Sequence, residues 1–133
     1  MLHEKISKEQ WRDFKEQVTK LASTNQPLVA IGSGGNINKI FKWANKEDNQ
    51  YLTYIKFKEC FDYVNSFDLD QRIRELKLNP DRADVIIPAF KIFNAVMKSA
   101  QIEKLMVPQV GLSDGIIHLL YEDFKRKNVI SAI

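Results

Sequence analysis

Gly32-Ser33-Gly34-Gly35-Asn36 is the segment whose residue types offer most to chemistry. Glycines let a ligand approach the backbone, and the N–H groups that open a following helix attract an anion or the polar edge of a nucleotide. The pattern is not a P-loop, because no Gly-Lys-Ser/Thr follows, and it lacks the full Gly-x-Gly-x-x-Gly fingerprint. On pattern alone a tight strand-to-helix turn without a ligand explains it equally well. Arg82 and Asp84 form the second candidate. Asp84 falls in the first turn of an apolar helix, where it is either a contribution to the helix dipole or a polar handle facing a cleft.

Other chemistries are poorly provided for. His3 and His118 are the only histidines and Cys60 the only cysteine, so no cluster has metal-ligand spacing. His118, Glu122 and Lys125 read as the solvated face of the last helix. Cys60 falls among Phe57, Phe61 and Val64, where a core thiol is inert without an adjoining base. A serine triad would need Gly-x-Ser-x-Gly with a placed histidine, and Gly32-Ser33-Gly34 is too short. No residue of this chain is assigned a catalytic role.

These candidates need elements to hold them. Ser7 and Gln10 form a capping box that starts a helix at Lys8, with Trp11, Phe14, Val18, Leu21 and Ala22 as its apolar face. Leu28-Val29-Ala30-Ile31 is a continuous apolar run, which predicts a strand covered on both faces. It leads through the glycine turn into a helix with Asn36 as N-cap and Ile37, Ile40, Phe41 and Ala44 as its face. Residues 46–50 read as a polar loop, and Tyr51–Ile55 as an edge strand or extended linker.

Phe57, Cys60, Phe61, Val64 and Phe67 lie on one helical face, and Asp68 with Gln71 caps a short helix carrying Ile73 and Leu76. Asn79-Pro80-Asp81 is a complete start signal for a helix to about Ala100, apolar nearly all round except for a stripe at Lys91, Asn94, Lys98 and Gln101. Pro88 inside it predicts a kink, and a strand at Val85-Ile86-Ile87 is the competing reading. Leu105-Met106-Val107 reads as a second buried strand. It is followed by Gly111-Leu112-Ser113-Asp114-Gly115 and a last helix through Ile116, Ile117, Leu119, Leu120 and Phe124.

The chain has 133 residues, of which 44% are hydrophobic and 28% charged, as expected of one globular domain rather than a disordered or fibrous chain. A net charge of +3 is too mild to make nucleic acid the default partner, while a small anion stays open. No apolar stretch suits a membrane span or a secretory signal. A single thiol fits a reducing compartment. Together these predict a soluble, cytoplasmic protein with no membrane partner.

Three stretches together resemble a known family: Leu28 to Asn36, Leu78-Asn79-Pro80-Asp81-Arg82-Ala83-Asp84-Val85-Ile86-Ile87-Pro88, and Gly111 to Gly115. The chain looks like the exopolyphosphatase and guanosine pentaphosphate phosphohydrolase family of the actin-like ATPase superfamily, over roughly residues 25–125. The resemblance implies an α/β fold: the distal part of a second ribonuclease H-like domain, helix-rich with a small parallel sheet, spanning 1–133 as a single domain.

It also implies a parent that releases terminal phosphate from polyphosphate or guanosine pentaphosphate, using Mg2+ and a glutamate in the missing N-terminal half. Here the substrate side would be Gly32, Ser33, Gly34, Gly35, Asn36, Arg82 and Asp84, and the domain interface Gly111 and Gly115. The family's usual Gly-Leu-Arg-Glu-Gly appears as Gly-Leu-Ser-Asp-Gly, and its Gly-Gly-Thr as Gly34-Gly35-Asn36. The isolated chain is expected to be inactive and to form a homodimer through its uncovered strand edge. The alternative is a non-catalytic binding or interaction module on the same fold.

Overall fold

The polar cap signals and the apolar faces place the helices closely in the computed structural model, which describes residues 6–45 and 51–130. The expected polar loop at 46–50 and His3 lie outside the described residues. Helix α1 (Lys8–Ser23) starts at the Ser7/Gln10 capping box. Strand β1 (Ala30–Ile31) leads into α2 (Gly35–Ala44), and β2 (Tyr51–Thr53) into α3 (Tyr54–Asn65). Thr53 caps α3 by accepting from the Lys56 N–H, so the chain turns helical two residues before the end of the predicted edge strand.

Helix α4 (Leu69–Arg74) uses the Asp68/Gln71 capping box, and α5 (Pro80–Ser99) has Asn79 as its cap and Pro80 in its first turn. The strand alternative at Val85-Ile86-Ile87 is not what forms; Pro88 is accommodated inside the helix. Strand β3 (Lys104–Met106) and helix α6 (Leu112–Ile130) complete the chain. No glycine ends α5. Gln101 instead takes a left-handed φ of 53°, while the Ile102 and Gln101 N–H groups donate to the Met97 and Lys98 carbonyls. That is the Schellman arrangement, and the buried Ile102 anchors it.

The sheet order is β1-β3-β2, with β1 parallel to β3 and β2 antiparallel to it. The expected parallel pair is present, but the sheet is mixed, because the Tyr51 segment joins it as an antiparallel edge. Register puts Ala30, Leu105 and Leu52 in one row and Ile31, Met106 and Tyr51 in the next. Leu52 and Leu105 are sealed from water, whereas Ile31 is 70% and Val29 62% exposed. The reading of β1 as covered on both faces is therefore corrected: only one face of the sheet is roofed, and the apolar run faces solvent on the other. Leu21 is likewise exposed, so the buried side of α1 narrows to Ala22 flanked by half-buried Trp11, Phe14 and Val18.

The core lies between that roofed face and α2, α3 and α5. Ile86, Phe90 and Met97 of α5 are fully buried with Ile37 and Ile40 of α2 and Phe57 and Val64 of α3. Phe90 sits 5.3 Å from the Phe57 ring and 5.2 Å from the Phe61 ring, a contact worth more than its area alone. Helix α6 departs from this body, exposing Leu112, Ile117, Leu119, Leu120 and Phe124 by 64% or more. It begins four residues earlier than its apolar residues suggest, because Asp114 Oδ2 accepts from the Gly111 N–H at 2.7 Å.

Phe90→Ala should lower unfolding stability by about 3–5 kcal/mol, and Phe90→Leu by clearly less, because the alanine leaves a cavity between two rings. Urea denaturation midpoints of the two variants check this; equal losses would mean the site collapses onto the void.

Candidate functional site

β1 and β3 run parallel, so the turn after β1 and the segment after β3 both leave the sheet at the carboxyl ends of the strands. At such ends ligands of open α/β sheets are received. The Gly32 N–H extends the ladder by donating to the Met106 carbonyl at 2.8 Å. A Cβ on Gly32 would stand 3.0 Å from Ile37 Cγ1 and 3.3 Å from Leu105 Cδ1, so only glycine lets α2 pack this close to the strands.

The helix cap is Gly34, not Asn36. Gly34 has φ 106° and ψ 166°, a region essentially reserved for glycine, and its carbonyl accepts from the Asn38 N–H. Asn36 is already helical, and the cap has no side-chain hydrogen bond. Gly35 is exposed and Asn36 half-buried at this helix start, and nothing stands within 4 Å of the space beside Gly34. Ser33 is exposed next to it.

Arg82 completes the arrangement. Its Nη2 lies 3.1 Å from where a Cβ of residue 35 would stand, so the guanidinium rests on the glycine backbone at the helix N-terminus. Cation and N-terminal dipole share a sign, and an anion between them would be attracted by both. Asn79 fixes Arg82 from the backbone side, its Oδ1 accepting from the Arg82 N–H at 3.1 Å. Asp84, two residues on, is exposed and lies ~200° round the helix from Arg82, so the two do not present one face to the turn.

Gly111 and Gly115 open α6, their N–H groups bound to Asp114 Oδ2 and the Gly111 carbonyl, and both are exposed. The structure gives them no partner element among the described residues that would test an interface role.

Two residues that sequence reading passed over also matter. Arg72 Nη1 donates to the Ala83 carbonyl at 3.4 Å, steadying the α5 turn that carries Arg82, while its Nε is buried without a partner. Asn38 Oδ1 is buried and unpartnered too. Each is a polar residue bordering an apolar helical face, which is the signal that could have singled it out.

His118 is exposed on α6, near the Glu122–Lys125 ion pair, as expected. Burial pushes the Cys60 thiol from 9.0 up to about 11, which suits its lack of a catalytic role. Among the described residues no group of three or more His, Cys, Asp or Glu side chains could hold a metal ion. No helix among them is long and apolar enough to cross a membrane.

The sequence model of the Ppx/GppA phosphatase family matches residues 1–124. A crystal structure of the Aquifex aeolicus Ppx/GppA family member is similar with a TM-score of 0.63 at 24% identity, over 90% of this chain and 42% of that one. The type II variant of the Aquifex aeolicus Ppx/GppA phosphatase is similar with a TM-score of 0.59 at 23% identity, over 84% of this chain and 41% of that one. At such identities the likeness establishes the fold. The chain spans about two fifths of the length of these solved structures. No curated protein matches the chain closely enough to count as a relative.

Gly34→Ala should cost about 1–3 kcal/mol through backbone strain alone, since the space around it is empty. Gly115→Ala, equally unobstructed but helical, should cost nothing and raise helicity. Chemical denaturation and circular dichroism of both variants check the contrast.

For Cys60 the native state holds its proton between pH 9 and 11 while the unfolded chain loses it, so the thiol's contribution to stability is present below pH 9 and lost as pH rises through 11. Alkylation by iodoacetamide at pH 8 should be roughly one to two orders of magnitude slower in the native than in the unfolded protein. Equal rates would mean the thiol is not desolvated.

Proposed function

Because the chain belongs to the Ppx/GppA phosphatase family, we propose that it is the distal part of a second ribonuclease H-like domain of an exopolyphosphatase-like hydrolase. In this reading it supplies the substrate side of a cleft that closes on the terminal phosphates of polyphosphate or guanosine pentaphosphate. The observation that carries the reading is the Arg82 guanidinium resting on Gly35 at an uncapped helix N-terminus. Hydrogen-bond donors and a cation converge there on one exposed point, and they gain most when negative charge accumulates between them.

The Gly35 and Asn36 N–H groups would donate to phosphate oxygens, Gly34 would let the phosphate approach, and Arg82 would make a charge-assisted contact. Gly32 keeps the turn tight against β3, and Ser33 stands beside the opening. Asp84 and the Gly111–Gly115 segment would face the rest of the enzyme rather than the phosphate. Magnesium, which the family resemblance implies, would be held outside these residues, and no step described here runs through it. Bond cleavage is assigned to the complementary half, so this chain alone is a binding partner of the substrate and not a hydrolase. A cytoplasmic setting accords with such a substrate.

The unroofed sheet face at Ile31 and Tyr51 and the exposed apolar side of α6 support the same reading. Surface of that kind is costly in water and would be covered by the complementary half or, in its absence, by a second copy.

Titrating the chain with tripolyphosphate should shift the Gly34, Gly35 and Asn36 amides in 1H–15N NMR spectra, and Arg82→Gln should weaken the binding several-fold. The same protein should release no phosphate from the ligand. Shifts confined to other residues would overturn the site assignment, and phosphate release abolished by a substitution in this chain would overturn the division of labour.

A further inference from the structure

The back of α5 carries a charged stripe that the phosphate site does not use. Lys91 lies nine residues beyond Arg82, hence ~180° round the helix and ~14 Å along it. Lys91, Asn94, Lys98 and Gln101 there face a second stripe on α1, Lys8, Arg12, Lys15 and Thr19, and the two helices enclose a groove of about 1450 Å3. The helices are tied at one end, where Thr19 Oγ1 donates to the Ser99 carbonyl and Gln26 Nε2 to the Ala100 carbonyl.

The groove has an apolar floor and a cationic rim. Half-buried Trp11 and buried Ala22 and Ala95 line it, with the aliphatic stems of the lysines beside them. Lys8, Lys15, Lys20, Lys91 and Lys98 are exposed on the rim, and no carboxylate among the described residues is within ion-pair distance of them. Arg12 is the exception, set among Glu9, Asp13 and Glu16 at 3.7–3.9 Å, and Glu16 is the one carboxylate lining the groove.

We propose that this groove docks an acidic amphipathic helix of a partner protein, with the helix's apolar stripe on Trp11, Ala22 and Ala95 and its carboxylates against the lysine rim. An apolar floor with charged edges is how helices are received in grooves. Charge complementarity selects the sign of the partner and hastens its arrival.

Two other occupants fit less well. An oligophosphate has no apolar surface to set on Trp11, and the amides and arginine that suit it are on the opposite side of α5. The exposed helix of a second copy, α6, is not acidic: Asp123 is paired with Lys127, Glu122 with Lys125, and Asp114 binds the Gly111 N–H.

The test uses the full chain and a synthetic helical peptide with leucine at every third and fourth position and glutamate elsewhere. Binding should shift amides within 8–26 and 91–101 in NMR spectra. The double variant Lys91→Glu/Lys98→Glu should weaken binding about tenfold, and Lys15→Glu on the facing helix should act in the same direction. These lysines are exposed, so melting temperatures should stay at the wild-type value, and the tripolyphosphate response at Gly34 to Asn36 should be unchanged. The proposal falls if shifts are confined to α6 or the open sheet face, if a leucine–lysine peptide of the same pattern binds equally well, or if tripolyphosphate occupies the groove more tightly than the peptide.

Discussion

Helix α5 must be kept from water on the side that carries Ile86, Phe90 and Met97, and the rest of the molecule is arranged to do so. Three large apolar side chains along one helix represent several kcal/mol of transfer free energy, at about 1.5–3 kcal/mol each. The α2 face and the Phe57 and Val64 face of α3 cover part of that side, and the roofed row of the sheet, Leu52 and Leu105, closes the core around it. α1 packs Val18 and Ala22 against the core, and hydrogen bonds from Thr19 and from Gln26 just beyond it to the carbonyls of Ser99 and Ala100 fix its position along α5.

The same constraint builds the arrangement at the glycine turn. Packing α5 against α2 brings the first turn of one helix to the first turn of the other, and the Arg82 guanidinium lies against the backbone of Gly35. The absence of side chains at 32, 34 and 35 serves a different purpose at each position. Gly32 permits close packing on Ile37 and Leu105, Gly34 adopts a backbone conformation forbidden to other residues, and Gly35 leaves room for the guanidinium. A cation against a positive helix end is unfavourable in isolation, and the proposed anion would relieve that conflict.

Two surfaces remain uncompensated, and they differ in kind. The open sheet face and the exposed side of α6 are apolar, with Ile31, Leu112, Leu119 and Phe124 among their exposed residues. The α1–α5 groove is cationic with an apolar floor and lies on the far side of α5 from the glycine turn.

The helix starts were legible because caps are local. Ser7 with Gln10, Asp68 with Gln71, and Asn79 with Pro80 each satisfy backbone groups within one turn, so the signal and the structure it determines share the same few residues. The family was legible from three short stretches read together, Leu28 to Asn36, Leu78 to Pro88 and Gly111 to Gly115, and its model matches residues 1–124. What only the tertiary structure decided depends on elements distant in the chain: which side of β1 is roofed, how the Tyr51 segment pairs, that Gly34 rather than Asn36 caps α2, and that Arg82 meets Gly35 while Asp84 turns away. An apolar residue such as Ile31 records that it can be buried. Whether it is buried depends on whether another element arrives to cover it, and that is settled by packing across the whole fold rather than by its neighbours in sequence.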